Sequence, residues 1–197
     1  MNGHPQLATA PSAQPISTAQ AKAHLRVDFD DDDTYIDALI AVATASLENE
    51  TNRKFITQTW DLYIDRMPST LSVWLPFGKL QSIWSVKYTD SADAQTTIAT
   101  SVYDVVTWED PGRIVLGYNQ QWPSVTLRPA GGFVVRFVCG YGDAGTSVPA
   151  PLLQAMKLTI GHLYENRESV IVGQGVTVAE LPRAVKALAF PYLIVGI

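Results

Sequence analysis

The hydrophobic period of this chain changes twice, and those two changes limit what it can fold into. Before residue 54 the spacing is helical: Ile36, Leu39, Ile40, Ala43, Leu47 and Thr51 recur at i, i+3, i+4 and i+7. From Phe55 the period drops from about 3.6 residues to about 2, with Trp60, Leu62 and Ile64, then Leu71, Val73 and Leu75, alternating with other residues. Further short runs follow at Ile83 to Tyr88, Ser101 to Val106, Arg113 to Leu116 and Phe133 to Cys139. Turn chemistry separates them, as in Arg66-Met67-Pro68-Ser69, Asp90-Ser91-Ala92-Asp93, Glu109-Asp110-Pro111-Gly112 and Pro129-Ala130-Gly131-Gly132. After Pro149 the helical period returns in the row Leu152, Met156, Ile160 and Leu163. Six or seven strands with no helix between them must pair antiparallel, because parallel neighbours need crossover connections.

The predicted class is therefore α+β, with four helices near 17–26, 33–52, 150–166 and 182–190 and an antiparallel β-rich insertion at about 55–142, a small sandwich or open barrel. Ser17-Thr18-Ala19-Gln20 has the form of a capping box for the first helix. The run Asp30 to Asp33 suits the positive end of the second helix, and Pro149 and Pro151 suit the start of the third. Pro191 ends the fourth. In domain terms, residues 1–15 read as a flexible arm, 16–54 and 146–190 as the helical body, 55–145 as the β insertion and 191–197 as an apolar tail. Leu188, Phe190, Tyr192, Leu193, Ile194, Val195 and Ile197 crowd together with no charge among them. A tail of that kind expects a partner.

With 197 residues, 47% of them hydrophobic, the chain suits one ordinary domain or a helical body carrying one large insertion. A formal charge of −5 argues against holding nucleic acid through a basic surface, though not against DNA that passes by. The single cysteine, Cys139, leaves no internal disulfide and reads as a small buried hydrophobe. The first fifteen residues lack the charged and apolar regions of a signal peptide, and no apolar run approaches the roughly 20 residues of a membrane span. The expectation is a soluble intracellular product, with no membrane partner.

Several patterns bear on chemistry. Gly140-Tyr141-Gly142-Asp143-Ala144-Gly145 has the spacing of a dinucleotide fingerprint, and Glu165 follows about 20 residues later. That fingerprint needs a helix starting inside the loop, whereas Ser147 to Pro151 intervenes, so the reading preferred is a flexible loop. Asp28, Asp30 and Asp32 mimic calcium-loop ligands, but Asp33 and Leu39 stand where glycine and glutamate are required. His162 and Glu165 share a helix face without further ligands. No G-x-S-x-G elbow is present, and three scattered histidines suggest no catalytic unit. Neither cofactor nor metal is expected, and the chain carries no positive sign of an enzyme. Trp60, Trp74, Trp84, Trp108 and Trp122 all lie in the β region; Trp60 is in step with the core, and an exposed cluster of the others would suit a carbohydrate- or peptide-binding module.

Taken together, Ala21 to Val27 followed by an acidic patch, Thr51 to Trp60, Pro111-Gly112-Arg113-Ile114, Gly140-Tyr141-Gly142, His162 to Glu168 and Glu180-Leu181-Pro182 resemble the head-tail connector, or adaptor, proteins of tailed bacteriophages, prophages and gene transfer agents. The resemblance spans about residues 16–193, and the N-terminal arm and the ending Ile194 to Ile197 depart from it. It implies a structural, non-enzymatic protein of the virion, assembled in the bacterial cytoplasm. Such a protein forms a ring, typically of twelve copies, below the capsid portal, joins the head to a stopper or tail, and lets double-stranded DNA pass without specific binding. Within that resemblance Leu181, Pro182, Val185, Leu188, Phe190, Pro191 and Tyr192 would dock on the portal protein. Tyr164, Glu165, Asn166, Arg167 and Glu168 would meet a neighbouring subunit, and Val170, Gly173, Gly175 and Val178 would belong to a mobile interface loop. The alternatives are a stopper or tail-completion protein of the same particle, a nucleotide-dependent enzyme using Gly140 to Gly145, or the β binding module.

Overall fold

The computed structural model describes residues 3–167 and 183–195. They divide into two units: a sheet unit of residues 3–12, 57–141 and 194–195, and a helical unit of residues 13–56, 142–167 and 183–193. The class is the expected α+β, with four α-helices and antiparallel sheets among the described residues.

The helical unit contains α1 (Thr18–Leu25), α2 (Asp33–Thr51), α3 (Ala150–Glu165) and α4 (Arg183–Ala189). The capping box is formed: the Ser17 hydroxyl accepts from the Gln20 amide, and the Gln20 side chain accepts from the Ser17 amide. Asn52 ends α2 in the left-handed conformation at φ 53°, where its amide donates to the Glu48 carbonyl. The periodic residues Ile36, Leu39, Ile40, Ala43, Leu47 and Thr51 are all buried, and α3 meets them with Leu152, Ala155, Met156, Thr159 and Ile160. Small residues on both helices permit close approach. Val185 and Ala189 of α4 are buried as well, with α4 packed on α3 and α2.

In the sheet unit, β1 (Gly3–Thr9), β2 (Gln58–Ile64), β4 (Leu80–Thr89), β5 (Gln95–Thr97) and β8 (Phe133–Cys139) form one antiparallel sheet in the order β1-β2-β8-β4-β5. A second antiparallel sheet runs β3 (Ser72–Trp74), β7 (Arg113–Leu116), β6 (Tyr103–Val106) in the order β3-β7-β6. Alternation decides the faces. Phe133, Val135, Phe137 and Cys139 are fully buried and share one core with Leu62, Ile64 and Val86 of the same sheet and with Val73, Tyr103 and Ile114 of the other. Arg136 points to the opposite face and forms a bidentate pair with Asp61, directly across the ladder, at 2.7 Å for both bonds.

The expectation of a flexible arm over residues 1–15 is corrected over Gly3–Thr9, which pair antiparallel with β2 as the sheet's edge strand. The strand is held through backbone groups, and all its side chains beyond Gly3 are exposed. An edge strand needs no hydrophobic pattern to complete its neighbour's ladder. Pro5 is tolerated there because only an edge can spare a donor. At Gly3 a Cβ would come within 2.6 Å of the Leu62 side chain, so glycine permits the close pairing.

Candidate functional site

Two surfaces of the helical unit carry the residues singled out in the sequence. The first closes the end of α3 onto the start of α2. Tyr35 and Tyr164 face each other with ring centroids 6.0 Å apart, and the Arg167 guanidinium lies over both, 4.7 Å and 5.4 Å from the two centroids. Asp32 ties the cluster together, accepting from the Tyr164 hydroxyl and, at 3.2 Å, from Arg167 Nη2. The hydrogen bond to Asp32 holds the Tyr164 phenol above its ordinary pKa, because the neutral form is the donor. Asn166 caps α3 by donating to the His162 carbonyl at 2.8 Å. Glu165, Asn166 and Arg167 are exposed, and Glu168 lies outside the described residues.

The C-terminal segment forms the second surface. Its members divide by burial: Val185 is part of the chain's own core, Leu188 and Tyr192 are half-buried, and Phe190, Pro191 and Leu193 are exposed. Phe190 and Leu193 border a small cavity of about 160 Å³ together with Glu50, Thr51, Lys186 and Ala189. The segment is anchored from behind, since the Tyr192 carbonyl accepts from Arg53 Nε. A part-buried pair, Lys54 with Glu48 at 3.0 Å, secures the end of α2. Leu181 and Pro182, and the loop positions Val170, Gly173, Gly175 and Val178, lie outside the described residues.

The other motifs are drawn into structural duty. Gly140 to Gly145 is a packed turn rather than the expected flexible loop: a Cβ on Gly145 would collide with the Pro15 backbone, and one on Gly142 with the Ser147 side chain. Four residues separate Gly145 from the first residue of α3, Ala150, so α3 does not begin inside that loop. Asp30 and Asp33 both accept from Lys22, at 2.6 and 2.7 Å, and Asp32 is committed to Tyr164 and Arg167. Among the described residues no group of three or more His, Cys, Asp or Glu side chains is placed to hold a metal ion. No helix among them is long and apolar enough to cross a membrane.

Trp60 packs on the sheet-unit core against Phe77, with centroids 4.7 Å apart, and Trp122 meets Phe133 edge-on at 5.6 Å. Trp74, Trp84 and Trp108 are exposed. Arg113 stacks over Trp74 at 4.7 Å. Sequence reasoning missed Asp32 and Tyr35 as partners of Tyr164 and Arg167, which stand at least 129 residues away in sequence. No local spacing signals such a meeting.

Comparison with known proteins bears on these surfaces as follows. Residues 16–111 match the family model of the phage gp6-like head-tail connector protein. Three solved structures share the fold from end to end. A chain in the neck of an empty gene transfer agent particle, computed with C6 symmetry, matches at TM-score 0.79 and 20% identity, with 98% of this chain and 97% of that chain covered. A chain in the virion of the native gene transfer agent particle matches at TM-score 0.78 and 22% identity, covering 98% and 96%. A chain in the neck of the native particle, computed with C12 symmetry, matches at TM-score 0.69 and 21% identity, covering 96% of each. At such identities the likeness is one of fold. No curated protein matches the chain.

Proposed function

We propose that this chain is a structural head-tail connector: an adaptor that forms a ring beneath the capsid portal and joins the head to a stopper or tail, without catalysing a reaction. The observation that carries this reading is the connector-family match over residues 16–111, joined by a fold match over nearly the whole chain to components of gene transfer agent necks. The six- and twelve-fold symmetry of those necks supports the ring. An acidic chain suits a conduit in which DNA slides rather than binds. The portal protein, the stopper, the passing DNA and the place in the virion all belong to the proposal.

Within it, Phe190, Pro191 and Leu193 dock on the portal, and Glu165, Asn166 and Arg167 face a neighbouring subunit. Burial refines the docking segment. Removing everything from Leu181 onward would also remove Val185 from the helical core, so a change at Phe190, which is 76% exposed, is the cleaner probe. Phe190→Asp is expected to leave the melting temperature unchanged and to weaken binding to the portal protein encoded alongside by at least tenfold, as loss of an aromatic anchor does. Negative-stain microscopy of the wild-type mixture should show an added annular layer on the narrow end of the portal. Wild-type chains that ignore the portal would refute the adaptor assignment and favour the stopper position; equal binding by Phe190→Asp would refute the docking segment alone.

A further inference from the structure

The sheet unit holds a cavity of about 390 Å³ that none of the surfaces above uses. Its lining joins the turn after β2 to the stretch leading into β8, and its chemistry has two parts. Arg66 and Arg128 supply guanidinium groups, while Met67, Val125 and Leu127 supply an apolar wall, with Met67 and Leu127 packed on the core behind.

The cationic part is unfinished. Arg128 Nη2 donates to the Gly131 carbonyl at 3.3 Å, but its Nε is buried without a hydrogen-bond partner. Arg66 is exposed and makes no ion pair among the described residues. The one carboxylate in the lining, Asp65, spends an oxygen on the Gly131 amide at 2.8 Å. A buried donor with no acceptor is disfavoured, and two guanidiniums against one engaged carboxylate leave the cavity positive. The matching ligand is anionic with an apolar body. A DNA backbone lacks the apolar body, and this chain's charge of −5 opposes it as well.

The helical unit presents such a ligand. Asp28-Phe29-Asp30-Asp31 lies between α1 and α2, and Phe29 is 47% exposed although large and apolar. Lys22 holds Asp30 and Asp33, and Tyr164 and Arg167 hold Asp32, so the loop has a set shape. Asp28 and Asp31 are exposed and make no ion pair among the described residues. We propose that the Arg66–Arg128 cavity receives the Asp28–Asp31 loop of a second copy of this chain, Phe29 seating on Met67 and Leu127 and the two aspartates facing the guanidiniums. This is a heterologous contact, different patches on the two copies, and such contacts close into rings. It rests on the connector reading for placing copies side by side.

The test uses a fluorescent peptide of residues 27–34 titrated with the full chain at low salt. Saturable binding is expected, at least tenfold weaker with Arg66→Gln or Arg128→Gln in the protein, or with Phe29→Ala in the peptide. Absence of binding, or affinity indifferent to both arginines, overturns the proposal. So does inorganic phosphate saturating the site while the peptide does not, which would make it a small-anion site. A second measurement uses the full chain, read as cross-linked mass at high concentration. Chains with Arg66→Glu and Arg128→Glu, and chains with Asp28→Arg and Asp31→Arg, should each fail to associate alone yet associate when mixed, since alternating copies restore every charge pair. A mixture no better than its parts, where wild type associates, overturns the contact. Neither measurement contains portal, so their failure leaves the connector reading standing.

Discussion

The two units solve the same problem with different materials. Each is built from segments far apart in sequence, yet the sheet unit fills its interior with large side chains, among them Phe133, Phe137 and Leu80, whereas the helical unit sets Ala21, Ala43, Ala155 and Ala189 among its isoleucines and leucines. Strands present one side chain in two to a shared core, so each inward position must span much of the distance between sheets. Helices approach as closely as their contact residues allow, and alanine shortens that distance. Charge is used differently too. The sheet unit has Asp61 and Arg136 paired across its ladder, while the helical unit gathers Lys22, Asp30, Asp32, Asp33, Tyr164 and Arg167 around helix ends. Large inward residues thus hold the first unit, and small residues with well-finished helix ends hold the second.

Three measurements can break or sharpen that contrast. The largest effect is expected at Phe137, fully buried among Leu62, Val135 and Ile114. Phe137→Ala should cost about 3–5 kcal/mol, against about 1 kcal/mol for Ile40→Val in the helical unit. All five tryptophans lie between Trp60 and Trp122, so fluorescence during urea unfolding follows the sheet unit, while far-ultraviolet circular dichroism follows the helices. Equal losses from the two changes would erase the difference in core construction. A smaller effect is expected at the capping box, where Ser17→Ala should cost about 1 kcal/mol, read most clearly by circular dichroism. Unchanged stability would mean that finished helix ends contribute little to that unit.

The smallest effect concerns Asp30. Its carboxyl is held below the ordinary carboxylate range by the hydrogen bond from Lys22 and by that residue's charge. A depressed pKa in the folded state means that the contribution is complete above the unfolded value of about 3.9 and is lost as pH falls through the folded value. The Asp30 side chain is 90% exposed, so solvent and salt reduce the effect. A carboxyl-carbon NMR titration should place Asp30 below the other exposed aspartates, and Lys22→Met should return it to them. Coincident titrations before and after that change would remove the ion pair from the account of the helical unit.

Legibility followed the same division. The four helices could be placed within a residue or two, because Ile36, Ile40 and Leu47, or Leu152, Met156 and Ile160, announce a buried face locally. The six β runs around Leu62, Val73, Val86, Val105, Ile114 and Val135 were legible as strands, but their order was not. β2 pairs with β8 through partners such as Gln58 and Cys139, far apart in the chain, and nothing local names a partner. β1 and β5 escaped altogether, since His4 to Thr9 and Gln95 to Thr97 are exposed and show no alternation to read. Among the candidate site residues, Tyr164 to Arg167 stood out by resemblance, yet their engagement with Asp32 and Tyr35 did not. The apolar ending read as expecting a partner; among the described residues Ile194 is buried, Leu188 and Tyr192 are half-buried, and the exposed large apolar side chains there are Phe190, Leu193 and Val195.

Sequence alone determined the α+β class, the positions of the helices, the capping box at Ser17 and the resemblance to connectors, because periodicity, caps and motifs are properties of neighbouring residues. Only the tertiary structure decided that β1 completes the large sheet, that Val185 belongs to the core while Phe190 does not, and that Arg66 and Arg128 line one cavity. Those outcomes depend on backbone pairing and close packing between residues remote in the chain, where the free energy of a contact belongs to two partners and is written in neither alone.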